Sequence, residues 1–205
     1  RILGVDAAIM FADLLPILEP MGMKLDYIPG FGPNFENPVR THADIDNLSV
    51  QPAKESMPYI HDVIKLIRAE LPKDIPLIGF GGAPFTLASY AIEGKGSRNY
   101  VFVKQMMYGD TGAWHGLMEK ITDTVIDYMN YQIDSGVQAV QLFDSWVGTL
   151  SPSDYREYVM PHSQRMMKEI TGRVPVIHFG TGNPALAPLM AEAGGDVLAL
   201  DWRTP

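Results

Sequence analysis

Short apolar runs alternate with longer segments of helical periodicity along almost the whole chain, and this alternation constrains the fold more than any other feature. The runs are Ala7–Phe11 (AAIMF), Pro76–Phe80 (PLIGF), Ala139–Phe143 (AVQLF), Val174–Phe179 (VPVIHF) and Val197–Trp202 (VLALDW), with Met23–Tyr27 as a further candidate strand. None alternates polar with apolar residues, so each reads as a strand of a parallel sheet buried on both faces. Between them, Tyr59, Val63, Leu66, Ile67 and Leu71 share one face of a helix over Pro58–Leu71. Trp114, Leu117, Ile121, Val125, Met129 and Ile133 stripe a longer helix, with Gly136 as its left-handed stop. Ala83–Glu93 and Pro184–Ala193 are also helical in pattern. Ser151-Pro152 supplies an N-cap with proline in the first turn, and Asp154 stands where a capping box places an acid. That helix is predicted to run to about Thr171. Leu14–Met21, interrupted by Pro16 and Pro20, predicts a helical turn. Pro29–Val39 predicts a loop, and Gly81-Gly82 a tight turn after PLIGF.

Parallel strands covered by helices fit either a doubly wound sheet or a (β/α)8 barrel. A closed barrel takes about 250 residues. The 205 residues present, with five or six strands, are too few to close one. The chain opens on Arg1 without a methionine and stops at Pro205 just after an apolar run, so both ends read as cut. The net charge of −8 argues against general affinity for nucleic acid or anionic membrane. With no cysteine there is neither a disulfide nor a thiolate-held metal, which fits a reducing cytoplasm. No stretch reaches the roughly 18 apolar residues of a membrane span.

In either architecture chemistry belongs beyond the carboxyl ends of the strands. Those ends carry Asp13, the Gly81–Phe85 segment, Asp144-Ser145-Trp146, the His178–Asn183 turn and Asp201-Trp202. They hold no nucleophile–base–acid triad and no phosphate loop. The residues alone leave several readings open. Asp13 precedes a helical turn and suits an N-cap. Tyr90 suits a core position with its hydroxyl satisfied, and Ser145 a strand-end turn. Asp144 suits a structural role or a partner for an arginine. His178 reads as a satisfied core histidine before a metal ligand or acid–base group. The Met106-Met107 and Met166-Met167 pairs read as helix packing.

Asp6–Asp13 (DAAIMFAD), Gly30–Arg40 (GFGPNFENPVR), Ile78–Leu87 (IGFGGAPFTL) with Tyr90–Gly94 (YAIEG), and Gln141–Pro152 (QLFDSWVGTLSP) resemble, in order, the signature blocks of the uroporphyrinogen decarboxylase family. Leu200–Trp202 (LDW) resembles a further one. The resemblance implies an incomplete (β/α)8 TIM barrel, with residues 1–205 as a single partial-barrel domain. It also implies removal of CO2 from the four acetate side chains of uroporphyrinogen, with no metal or organic cofactor. Asp13 then matches the aspartate that hydrogen-bonds the pyrrole N–H groups and serves as the catalytic anion. Tyr90 and Ser145 match residues that contact the substrate. Arg40 is a candidate to hold a substrate carboxylate. A cytoplasmic homodimer is implied for the full-length protein. The family also uses an arginine motif ahead of the first strand and a histidine near its C-terminus. Neither has a counterpart here, so the expectation is an internal piece of such an enzyme.

The chemistry suits these residue types. Protonation of a pyrrole carbon makes an iminium-like electron sink into which CO2 departs, and a fixed carboxylate beside the nitrogens stabilises that cation. Rival readings remain. A zinc-dependent corrinoid methyltransferase of the same superfamily expects a His-x-Cys element where this chain has His178-Phe179-Gly180. A non-catalytic tetrapyrrole-binding module is another. A barrel aldolase or isomerase expects a lysine or glutamate at a strand end, and the five segments hold neither.

Overall fold

The computed structural model describes residues 4–170 and 172–204. Five strands form one parallel sheet: β1 (Ala8–Ile9), β4 (Leu77–Gly82), β5 (Ala139–Asp144), β6 (Val176–Gly180) and β7 (Val197–Leu200). Their order across the sheet is their order in the chain. That order separates the two architectures the sequence allowed. A doubly wound sheet reverses direction at a switch point, whereas a barrel adds each strand beside the last. Successive right-handed crossovers then lay all the connecting helices on one face. The sheet is therefore part of a barrel wall, with five of the expected five or six strands.

The burial of alternate residues follows. Val140, Leu142 and Asp144 of β5 point into the helical layer and are buried, as are Val176, His178 and Gly180 of β6. Phe143 and Phe179 on the opposite face are only partly covered, and their rings meet at 5.4 Å. The expectation of strands buried on both faces thus holds for the helical side alone. The barrel-inner side is half open, and Ile9 and Val197 on the two edge strands are exposed.

Helix α6 (Thr111–Ser135) spans the outside of the sheet. Its predicted stripe, Trp114 to Ile133, is buried throughout. Asp110 caps it by accepting the Ala113 N–H at 3.0 Å, and Gly136 ends it at φ +113°. The helix lies close to β4 because Gly79 and Gly81 have no side chain: a Cβ there would meet Gln132 at 2.6 Å and Met129 at 2.8 Å. This corrects the tight turn expected at Gly81-Gly82. Strand β4 continues through Gly82, and Gly79 and Gly81 let α6 pack close.

The other helices are α1 (His42–Asp46), α2 (Ala53–Ser56), α3 (Tyr59–Glu70), α4 (Pro84–Glu93), α5 (Val101–Gly109), α7 (Pro152–Asp154), α8 (Met160–Ile170) and α9 (Ala187–Ala193). The Ser151 cap is present, its hydroxyl accepting the Asp154 N–H at 3.1 Å. The helix that follows passes through a π-helical turn, Tyr155–Val159, before α8, which the periodicity did not reveal. The predicted end at Thr171 lies outside the described residues. Both methionine pairs are buried in helix packing, as expected.

One predicted strand falls outside the barrel sheet. The Met23–Tyr27 run is not a barrel strand. Strand β2 (Leu25–Ile28) pairs antiparallel with β3 (Gly32–Phe35), so the expected loop over Pro29–Val39 contains the second arm of a hairpin. Three residues, Pro29, Gly30 and Phe31, separate the arms, with Gly30 at φ +80°. Among the described residues no helix is long and apolar enough to cross a membrane.

Candidate active site

At the carboxyl ends of β1, β4 and β5 lies a cavity of about 340 Å³, lined by Phe11, Asp13, Pro33, Phe80, Tyr90 and Phe143 among others. The strands bring Phe80 and Phe143 into its floor, the segment after β1 brings Phe11 and Asp13, and the hairpin contributes Pro33. Asp13 Oδ1 accepts the Leu15 N–H at 2.8 Å and so anchors the 3-10 turn Leu15–Leu18. Asp13 therefore caps a turn and faces a cavity at once. It is exposed at the rim rather than buried.

Tyr90 projects from α4, and its phenol is pushed up by burial and then by the negative charge of Asp13. Tyr27, from the hairpin, is pushed up by burial, by a hydrogen bond with Asp13 and by the charges of Asp13 and Glu19. Two tyrosines thus bear on one carboxylate. Tyr27 was not anticipated, because its segment was read as a barrel strand. The signal was present, however: a short apolar run, Pro-Gly-Phe-Gly, and a second short run make a hairpin pattern.

Beside Tyr90 stands Trp146, just past the end of β5. The two rings lie 3.7 Å apart at 30°, and Tyr100 meets Trp146 edge-on at 5.2 Å. Tyr100 holds an uncommon left-handed conformation at φ 50°. Its hydroxyl is raised to about 12 by burial and then by Tyr90 and Glu93. Ser145 lies between Asp144 and Trp146, partly buried, and does not line the Asp13 cavity among the described residues. The structure therefore gathers Asp13 and Tyr90 and sets Ser145 in the adjoining turn.

Arg40 faces elsewhere. Its guanidinium lies 3.5 Å from the Phe102 ring centroid, in a separate cavity of about 630 Å³ that also holds His42 and Asp110. The two cavities share no lining residue, so the larger one is not where Asp13 acts. Arg40, a candidate for a substrate carboxylate, thus lines a different cavity from Asp13. His178 sits within β6 on the helical face, fully buried, and burial lowers it to about 4. Asp201 accepts from the Thr181 hydroxyl, the Arg203 side chain and the Gly182 N–H, the last at 3.1 Å, and fixes the turn after β6.

A mouth with aromatic walls and one carboxylate among its described lining residues suits a flat group that offers N–H donors and develops positive charge. A thiolate metal site cannot form beside β6 from these residues, since they include no cysteine and Gly180 follows His178-Phe179.

Chain-ordered parallel strands with a strand-end mouth define a barrel-type α/β enzyme fold. The same class appears in a solved methyltransferase from Methanosarcina mazei, which superposes with a TM-score of 0.79 at 19% identity over 95% of this chain and 57% of that one. The uroporphyrinogen decarboxylase (URO-D) family model matches residues 1–205, and the chain belongs to that family. Uroporphyrinogen decarboxylase of Pelobacter propionicus is 52% identical, and that of Geobacter sp. strain M21 is 50% identical, each over 98% of this chain. The chain spans 59% of the length of these relatives.

Proposed function

We propose that the full-length gene product decarboxylates the four acetate side chains of uroporphyrinogen to methyls, giving coproporphyrinogen, and that Asp13 is its catalytic anion. The observation that carries this reading is the strand-end mouth in which the Asp13 carboxylate faces Tyr90 and the hairpin's Tyr27. Identity near one half with enzymes of that name supports the substrate class.

The residues act as follows in this proposal. Asp13, oriented by the Leu15 N–H, accepts hydrogen bonds from pyrrole N–H groups. A proton adds to a pyrrole ring carbon, and the nitrogen lone pair stabilises the resulting cation. The C–C bond to the carboxylate breaks, CO2 leaves, and its electron pair quenches the cation as an exocyclic double bond. A proton adds to the exocyclic carbon and the ring carbon loses one, so each turnover consumes one proton and makes one methyl. Asp13 stabilises the cation electrostatically. Tyr90 and Ser145 orient substrate carboxylates through their hydroxyls. The same reading assigns a homodimer and a cytoplasmic location to the full-length protein.

Incubating the full-length gene product anaerobically with uroporphyrinogen and separating the products by carboxylate number tests the proposal. A four-carboxylate product is expected. Unchanged octacarboxylate under these conditions would refute the assignment.

A further inference from the structure

We propose that Asp144 and Thr86 form a positioning pair that sets Trp146, and through it Tyr90, in the mouth of the site. Asp144 ends β5 with its side chain turned into the helical layer, completely buried. Its carboxyl has one partner residue among the described residues: the Thr86 hydroxyl donates to Oδ1 at 2.8 Å, while Oδ2 makes no hydrogen bond. The same Thr86 oxygen accepts the backbone N–H of Trp146 at 3.2 Å. A hydroxyl has one proton to give. Because Asp144 takes that proton, a lone pair is left to face the Trp146 N–H. Asp144 thus orients the group that holds Trp146 without touching Trp146's ring.

Helix geometry completes the device. Thr86 and Tyr90 stand four residues apart in α4 and share one face. Thr86 holds Trp146 by its backbone, and one turn later Tyr90 lies against its ring at 3.7 Å. A second tie keeps the parts in register: the Ala83 N–H, just before α4, donates to the Phe143 carbonyl at 2.9 Å. Ser145 lies between the two anchored residues, so its backbone is held on both sides. Burial raises the Asp144 carboxyl to about 7, with the Thr86 hydrogen bonds pulling the other way. A protonated acid retains a carbonyl oxygen that still accepts from Thr86, so the pair survives in the uncharged form.

The inference deepens the decarboxylase reading and rests on it. It is tested by Thr86→Val and Thr86→Ser in the full-length gene product, with Trp146→Phe to assign the near-ultraviolet circular dichroism of the Trp146–Tyr90 pair. A small misplacement of a positioned group costs up to about 10²-fold in rate. Thr86→Val is expected to lose the Trp146 band and about tenfold in kcat, with KM changed less than about threefold. Thr86→Ser is expected to retain both. Asp144→Asn, which keeps an acceptor oxygen, should retain the band, and Asp144→Leu should lose it. A Thr86→Val protein with band and kcat intact would overturn the inference. So would equal loss in the valine and serine variants that follows a lowered melting temperature while the band stays. If the unmodified protein leaves uroporphyrinogen untouched, the functional reading fails, and the band still decides the positioning claim.

Discussion

Asp13 carries two duties that are usually separable. Its Oδ1 holds the Leu15 N–H, and the carboxylate also meets the Tyr27 hydroxyl. Replacing Tyr27 with phenylalanine removes one hydrogen bond to a charged group. Such bonds contribute roughly 1.5–3 kcal/mol, and Tyr27 is half exposed, so solvent brings its share below the lower figure. Tyr27→Phe is therefore expected to lower kcat/KM for uroporphyrinogen about three- to tenfold with little change in melting temperature. Unchanged kcat/KM would remove Tyr27 from the site. Asp13 was legible in the sequence because it follows a strand end inside a family block, and Tyr90 through its family block alone. Trp146 was legible as a strand-end residue, but the roles of Tyr27 and Thr86 were not, nor was the meeting of Thr86 with Asp144 and Trp146. Their partners come from distant segments, Thr86 and Asp144 being 58 residues apart, and no local pattern encodes such a meeting. The acid lies exposed at the rim of its cavity, which no local pattern announced.

At the scale of elements, the long amphipathic helices and apolar strands announced themselves, because periodicity and buried strand composition are local signals. Helix α5 did not. It follows a residue in left-handed conformation and is capped from outside: Glu93 Oε1 accepts the Phe102 and Val103 N–H groups at 3.0 and 3.1 Å. A cap borrowed from the preceding helix leaves no N-cap signature in α5 itself. The loops beyond β5 and β6 show how tightly elements meet at the mouth. A Cβ on Gly148 would lie 2.2 Å from the Thr181 carbonyl oxygen and 2.8 Å from the Gly182 Cα, both backbone atoms that have no rotamer to change. Gly148→Ala is expected to cost about 1–3 kcal/mol in chemical denaturation, as overpacking does. A change below about 0.5 kcal/mol, the range of ordinary surface substitutions, would show that the two loops separate freely.

Across the whole molecule, chain-ordered parallel strands lay the crossover helices on one face of the sheet and line up their carboxyl ends along one rim. The family blocks run up to or past that rim, where chemistry in this architecture belongs. Periodicity could not choose between barrel wall and doubly wound sheet, since strand order is a tertiary property; the family resemblance pointed to the barrel. The buried titratable groups give the fold its own pH response. His162 and His178 are lowered from 6.5 to about 4, chiefly by burial, so each gains a proton on unfolding between those values. Asp144, raised from 3.8 to about 7 by burial, loses one on unfolding across most of the same window. Two histidines outweigh one carboxyl. Stability should fall as pH drops from 6.5 towards 4, by up to about 1.4 kcal/mol per pH unit, and the slope should steepen in Asp144→Asn. Denaturant melts across that range measure it, and a flat or rising profile on acidification would contradict the assignment.

The account turns on the Asp13 carboxylate as the charge that stabilises a cationic pyrrole during loss of CO2. Asparagine keeps the oxygen that accepts the Leu15 N–H and removes the charge, so it isolates the electrostatic duty from the capping one. Single-turnover decarboxylation of uroporphyrinogen by Asp13→Asn in the full-length gene product measures this directly. The expected result is a folded protein slowed about 10²- to 10³-fold. Turnover within about threefold of the unmodified protein would mean that the charge at this position does not drive the reaction.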